Sequence, residues 1–303
     1  MPARSHNERP LNERPDSVRS RPTLVGIVRR CLGRRRDPRN GGSEPVLTRL
    51  LYYIYERRLL RQVRNQPMPR HVGIILDGNR RYGKQRQLAE PREIYRLGAG
   101  KLDDVLDWCE TLGIGAVTLW VCSTDNLKRA PDEVSGILLA VEDKLKALAN
   151  DPLTHRRGVR VRAVGNLGLL PESTVAAIRA AEEATAGYGA MALTIAVAYG
   201  GRQEIADAVR SLLRDHANDG GDLSSVVDQI TPETIGRYLY TPDLPDPDLI
   251  IRTSGEVRLS GFLLWQSAYS EFYFSDVNWP AFRRIDFLRA VRAYQQRRRR
   301  YGR

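Results

Sequence analysis

Cysteine and histidine are scarce in this 303-residue chain, which has three of the first and four of the second. Cys31, Cys109 and Cys122 show no CxxC spacing and the histidines form no ligand pair. That argues against a disulfide framework or a zinc site and fits a reducing cytoplasm. No run approaches the roughly 20 apolar residues that span a bilayer, and the N-terminus has no signal-peptide apolar stretch. The expectation is a soluble or peripheral protein of the cytoplasm, with the inner face of the cell membrane as the surface it could rest on. A Walker-type P-loop, a nucleophile elbow and a metalloprotease HExxH helix are all missing. ATP hydrolysis and serine or zinc hydrolysis lose their usual support.

Acidic residues are sparse at both ends. Residues 1–70 hold 17 Arg and six acids, and residues 282–303 hold nine Arg and one Asp. With a net charge of +12 for the whole chain, the stretch 71–281 is left at −7. Basicity confined to the ends weakens the case for a nucleic-acid-binding core, and no nucleic acid partner is expected. Residues 1–45, rich in Arg, Pro, Ser, Asn and Gly, read as a disordered extension. Residues 46–66 follow as an amphipathic helix with apolar side chains at helical spacing and Arg opposite. Such a helix either docks on the domain or lies on anionic lipid.

From residue 67 to 303 the chain reads as one catalytic domain. Short apolar, β-rich runs appear at 72–76, 115–122, 159–164, 192–198, 248–252 and about 270–274. Helical stretches lie between several of them, near 97–112, 132–149, 173–186, 202–214 and 232–239. The alternation predicts an α/β fold: a mainly parallel sheet of about six strands flanked by helices. Ligands of such sheets sit at the carboxyl ends of the strands.

Three of those ends carry polar clusters. Asp77 closes the run "HVGIILDGNRR" and is followed by Gly78, Asn79 and the cations Arg80, Arg81 and Lys84. A single carboxylate binds Mg²⁺ only with help from substrate phosphates, which nearby cations would also neutralise. These residues alone leave both a structural turn and a metal–phosphate site open. Ser123, Asp125, Asn126 and Arg129 cluster after the next strand, where polar helix capping is by itself the better explanation, and only a second strand end with complementary polar groups tells against it. The stretch "DLIIRTSGEVRLSG" sets Arg252, Arg258 and Ser260 among small residues, a reasonable diphosphate clamp. Glu271 opens an aromatic strand and is a second candidate metal carboxylate.

Taken together, "HVGIILDGNRR", "STDNLKR", "AYGGRQEI", the long block through "SEFYF" and "DVNWPAF" resemble the cis-prenyltransferase family of undecaprenyl-type diphosphate synthases. The double Arg after Asp-Gly-Asn and Leu127 after Asn126 resemble its actinobacterial short-chain Z-farnesyl diphosphate synthases. The resemblance implies Mg²⁺-dependent condensation of isopentenyl diphosphate onto an allylic diphosphate with a new cis double bond, in a homodimer. It implies Asp77 as the catalytic, metal-binding carboxylate. Gly78, Asn79, Arg80, Arg81, Tyr82, Lys84 and Arg129 fall on the allylic diphosphate side. Ser123 and Asn126 position the reacting groups and the departing proton. Arg252, Arg258 and Ser260 bind isopentenyl diphosphate, with Glu271 assisting the metal from its own or the partner subunit. Tyr82, Tyr95, Asp125, Leu127, Ala198 and Val257 depart from the family pattern, Arg92 aligns only with a gap, and Arg80 stands where Gly is usual. Val121, bulkier than the common Ala at the start of the product tunnel, favours a short product. Alternatives are a long-chain lipid-carrier synthase, an allylic–allylic coupling enzyme, a non-catalytic scaffold subunit, and a polybasic membrane or RNA module.

Overall fold

The computed structural model describes residues 46–301, so the expectation for residues 1–45 falls outside the described chain. Helix α1 (Val46–Arg64) leads into β1 (His71–Ile75), the short α2 (Asn79–Gln85) and α3 (Pro91–Leu112). Next come β2 (Ala116–Trp120), α4 (Pro131–Asn150), α5 (Pro152–Arg156) and β3 (Val159–Val164). They are followed by α6 (Glu172–Thr185), β4 (Met191–Ala196) and α7 (Gly201–Asn218). Short helices α8 (Leu223–Val226) and α9 (Pro232–Tyr238) precede β5 (Leu249–Arg252), β6 (Glu271–Phe274) and α10 (Arg284–Tyr301). The six strands form one sheet in the order β3-β4-β2-β1-β5-β6, with every neighbouring pair parallel.

The apolar runs are uninterrupted because both faces of the sheet are covered. β1, β2 and β5 bury every residue, whereas the edge strand β3 alternates buried and more exposed positions over Val159–Arg162. One face sends Val72, Ile74, Leu119 and Ile251 into a core shared with α3, α4, α6 and α10. The other face gathers Ile75, Trp120, Ile250 and Phe262, with the Trp120 and Phe262 rings stacked 5.5 Å apart. Gly73 permits that packing, since a Cβ there would come within 2.9 Å of Phe262 Cε1.

Helix starts follow local chemistry. Pro91, Pro131 and Pro232 open their helices, where a missing N–H is harmless, and α3 ends at Gly113 with φ 70°. α3 thus begins at Pro91 rather than near residue 97, before its apolar spacing becomes regular. At the foot of β1, His71 is buried between Pro245 O (2.6 Å from Nδ1) and Thr118 Oγ1 (2.8 Å from Nε2). A carbonyl can only accept, so Nδ1 carries the proton, and burial lowers the ring's pKa and keeps it neutral.

Helices α1 and α10 pack together. Leu59 and Val63 of α1 are buried, and Gln295 Nε2 of α10 donates to Val63 O at 3.0 Å and to Pro67 O at 3.1 Å. Arg283 and Arg289 lie over the rings of Tyr52 and Tyr55. Arg57, Arg58, Arg61 and Arg64 line the exposed side of α1. Among the described residues no helix is long and apolar enough to cross a membrane.

From β1 the chain moves to β2 on one side, and it returns much later to β1's other side as β5. Connections that diverge in this way leave a crevice at the carboxyl ends of the two strands.

Candidate active site

The parallel register pairs Ile75 with Arg252, so the residues just beyond β1 face those just beyond β5. Asp77 N–H donates to Thr253 Oγ1 at 2.9 Å, which locks the acid at the rim. Its Oδ2 accepts from Arg252 Nη2 at 2.7 Å, and its Oδ1 accepts from Gly78 N–H at 2.7 Å. Gly78 takes φ 97°, and a Cβ there would come within 2.8 Å of Ser254 Cβ. Only glycine makes this turn without strain.

Arg252 is anchored on three sides. Its side chain is 6% exposed and also donates from Nη1 to Ser260 Oγ at 2.7 Å and to Arg258 O at 2.5 Å. The loop beyond β5 doubles back through positive φ at Ser254, Gly255, Ser260 and Gly261. That doubling brings Ser260 back to Arg252. Glu256 ties the loop to α2, pairing with Arg81 and, at 2.7 Å, with Arg258 Nη1. Hydrogen bonding to Arg81 lowers the Glu256 pKa and raises that of Arg81. Arg81 Nη1 also donates to Ser254 O at 2.8 Å.

Across the cleft, Ser123 and Asn126 cap each other. Asn126 N–H donates to Ser123 Oγ at 3.1 Å, and Ser123 N–H donates to Asn126 Oδ1 at 3.0 Å. The capping explanation of these two residues therefore holds, and both still line the cleft. Arg129 Nη1 and the Tyr95 hydroxyl both donate to Glu133 Oε1, at 2.7 and 2.8 Å. Arg80 Nε lies 3.6 Å from the same oxygen.

One cleft gathers Asp77, Gly78, Asn79, Arg80, Arg81, Ser123, Asn126, Arg129, Arg252, Arg258 and Ser260. Three expected residues stay outside it. Tyr82 is turned from the cleft by the helical period, and its ring packs under Arg86. Lys84 is exposed one turn beyond Arg80 along α2. Glu271 pairs in register with Leu249, three residues below Arg252 on the next strand over, and is held by Arg297 Nη1 at 3.0 Å. Within one chain, then, Glu271 does not reach Asp77. Among the described residues no group of three or more His, Cys, Asp or Glu could hold a metal.

The sequence reading gave no role to Glu133, Glu256, Thr253 or Trp120. Acids inside charged runs carry no pattern that marks them as organisers of arginine. Buried cleft-lining atoms Arg252 Nε, Asn79 Oδ1 and Trp120 Nε1 have no hydrogen-bond partner among the described residues. Below the polar rim, Leu76, Val121 and Ile137 continue into an apolar recess of about 50 Å³ between α3 and α4. Leu102, Val141 and Trp279 also line it, with Lys144 as its single charged residue. The arrangement can hold anionic groups above a hydrocarbon tail.

The undecaprenyl diphosphate synthase family model matches residues 75–302. A (2Z,6E)-farnesyl diphosphate synthase of Thermobifida fusca is 51% identical over 252 residues, covering 83% of this chain and 97% of the relative. A geranylgeranyl-diphosphate-specific tritrans,polycis-undecaprenyl-diphosphate synthase of Methanopyrus kandleri is 53% identical over 253 residues, covering 84% and 92%. The crystal structure of lavandulyl diphosphate synthase from Lavandula x intermedia, in complex with dimethylallyl diphosphate, superposes with a TM-score of 0.68. It is 33% identical and covers 75% of this chain and 95% of that one. With polar strand-end residues gathered in one cleft and these similarities across most of its length, the chain belongs to the undecaprenyl diphosphate synthase family and is a prenyltransferase, a cis-isoprenyl diphosphate synthase.

Proposed function

We propose that the protein condenses isopentenyl diphosphate with a short allylic diphosphate in the presence of Mg²⁺, giving a short Z-prenyl diphosphate of the Z,E-farnesyl kind. One observation carries the reading: a single carboxylate, Asp77, stands between two separate sets of cations. Arg252 and Arg258 with Ser260 lie to one side and Arg80 and Arg129 to the other, while Arg81 on α2 is held by Glu256 on the β5 loop and bridges them. Two diphosphates fit two such sets, and the apolar lining below Val121 suits the end of a hydrocarbon tail.

The donor set suits Mg²⁺ brought by its substrate. Each Asp77 oxygen accepts one hydrogen bond and keeps a second lone pair, and the remaining ligands would come from phosphate and water. A Mg²⁺ held there would offset negative charge on the departing diphosphate. The chain's own residues do the rest. Arg129, Arg80 and Arg81 bind the allylic diphosphate and stabilise its negative charge as the allylic carbon becomes positive. Arg252, Arg258 and Ser260 orient isopentenyl diphosphate. The mutual capping of Ser123 and Asn126 leaves the Ser123 hydroxyl hydrogen and Asn126 Nδ2 to donate to the departing diphosphate and hold it in place, and an oxygen of that diphosphate takes the proton lost from isopentenyl diphosphate as the new double bond forms.

A recess of about 50 Å³ leaves room only for the end of a tail, which favours a short product over a long one. A longer product is the second reading, favoured by the similarity to the Methanopyrus kandleri enzyme. Glu271, remote from Asp77 in its own chain, suits a homodimer in which it serves the partner's site. Exposed Leu51, Tyr53 and Ile54 beside the arginines of α1 suit peripheral contact with anionic lipid. The test is incubation with labelled isopentenyl diphosphate and dimethylallyl, geranyl or farnesyl diphosphate, with and without EDTA. Metal-dependent incorporation into a Z product supports the reading, and no incorporation with any primer contradicts it.

A further inference from the structure

Arg80 and Tyr95 meet at one carboxylate, since both reach Glu133. Arg129 donates to the same oxygen, so donors from α2, from α3 and from the turn before α4 converge on Oε1. All three donors line the cleft, and Glu133 lies behind them with its side chain 16% exposed.

We propose that Glu133 is a positioning residue for the allylic diphosphate, holding Arg80 and Arg129 side by side so that their remaining N–H groups serve the substrate. The proposal rests on the prenyl-transfer reading of the cleft. A guanidinium has five donors, and Glu133 engages only Nη1 of Arg129 and the Nε side of Arg80. Two guanidiniums left together would repel each other, and a shared carboxylate turns that repulsion into attraction. Arg80 is 60% exposed and makes no other ion pair among the described residues. Without Glu133 it would be free in solvent and would have to be ordered by the substrate itself.

The opposing effect, repulsion between Glu133 and the diphosphate, is blunted because two cations and a hydroxyl surround the carboxylate. Burial and Glu133 raise the Tyr95 pKa, so its hydroxyl stays protonated and donates. Tyr95 therefore acts through Glu133, and its hydroxyl proton is already committed there.

Initial rates test this in the wild-type protein and in Glu133→Gln, with geranyl diphosphate and isopentenyl diphosphate varied in turn. The allylic KM is expected to rise about tenfold, the worth of one charge-assisted hydrogen bond, while the isopentenyl KM stays within about twofold. Equal rises in both, an unchanged allylic KM, or a lower one would overturn the proposal. Should Glu133→Gln fail to fold, Tyr95→Phe removes only one donor. It is expected to raise the allylic KM about two- to threefold, and no change would overturn the proposal. Calorimetric titration of geranyl diphosphate without isopentenyl diphosphate reads the same loss without turnover. A wild-type protein that binds but never turns over, with binding weakened in Glu133→Gln, contradicts the prenyl-transfer reading and leaves the role of Glu133 standing. Equal binding by both proteins contradicts the role itself.

Discussion

Arg252 and Arg129 bring guanidiniums into the same cleft but are held in different ways. Arg252 ends a buried strand, is 6% exposed, and is fixed by a carboxylate, a hydroxyl and a backbone carbonyl. Arg129 follows a short turn, is 31% exposed, and depends on one side chain, Glu133. The strand-borne wall is a product of the fold, because sheet register alone sets Arg252 beside Asp77. The helix-borne wall is a product of side chains meeting one another. It can change residue by residue while the sheet stays as it is. Arg80 and Tyr95, which also reach Glu133, belong to that second wall.

The largest break comes at the residue between the two walls. Asp77→Ala is expected to lower kcat by about a thousandfold, as losing a group that stabilises transition-state charge does. The fold should be kept but its melting temperature lowered, because Arg252 loses its one carboxylate partner, and a circular dichroism spectrum and melt beside the rate assay check both. Val121→Ala sharpens the contrast below the rim, where side chains alone set the depth. Products are expected to lengthen by one or more isoprene units, a balance moved by about 1–3 kcal/mol per methylene removed. Chromatographic sizing of the product decides it, and an unchanged length would free Val121 from any part in the limit.

The smallest expected effect lies at the foot of the strand-borne wall. His71 is neutral and buried, with its pKa lowered from 6.5, so the unfolded chain takes up the proton first. Its contribution to stability is complete above pH 6.5 and is lost as pH falls below that value. Melting temperatures from pH 7 to 5 should fall more steeply for the wild type than for His71→Gln. Parallel slopes would show that other groups govern acid stability.

Legibility in the sequence followed the same division. The six apolar runs became six strands because burial on both faces leaves a continuous apolar signature. Asp77, Ser123 and Arg252 were legible as strand-end residues for that reason. α2 has no apolar periodicity in "NRRYGKQ", and α5 and α8 are too short to have any. Glu133 and Glu256 sit in ordinary charged stretches, "PDEV" and "SGEVR", and only folding shows which arginines they collect. The resemblance set Tyr82, Lys84 and Glu271 beside the substrates. Helical period and strand register put all three outside the cleft of a single chain.

The division of labour between the walls is tested most directly by a crossed pair of substitutions, Arg252→Lys and Arg129→Lys, with both KM values measured in each. Lysine keeps the charge and loses the planar fork. Arg252→Lys is expected to raise the isopentenyl KM by tenfold or more, roughly 1.4 kcal/mol, and to leave the allylic KM within about threefold. Arg129→Lys should do the reverse. If both substitutions raise the same KM, the cleft does not hold two separate diphosphate sites about Asp77.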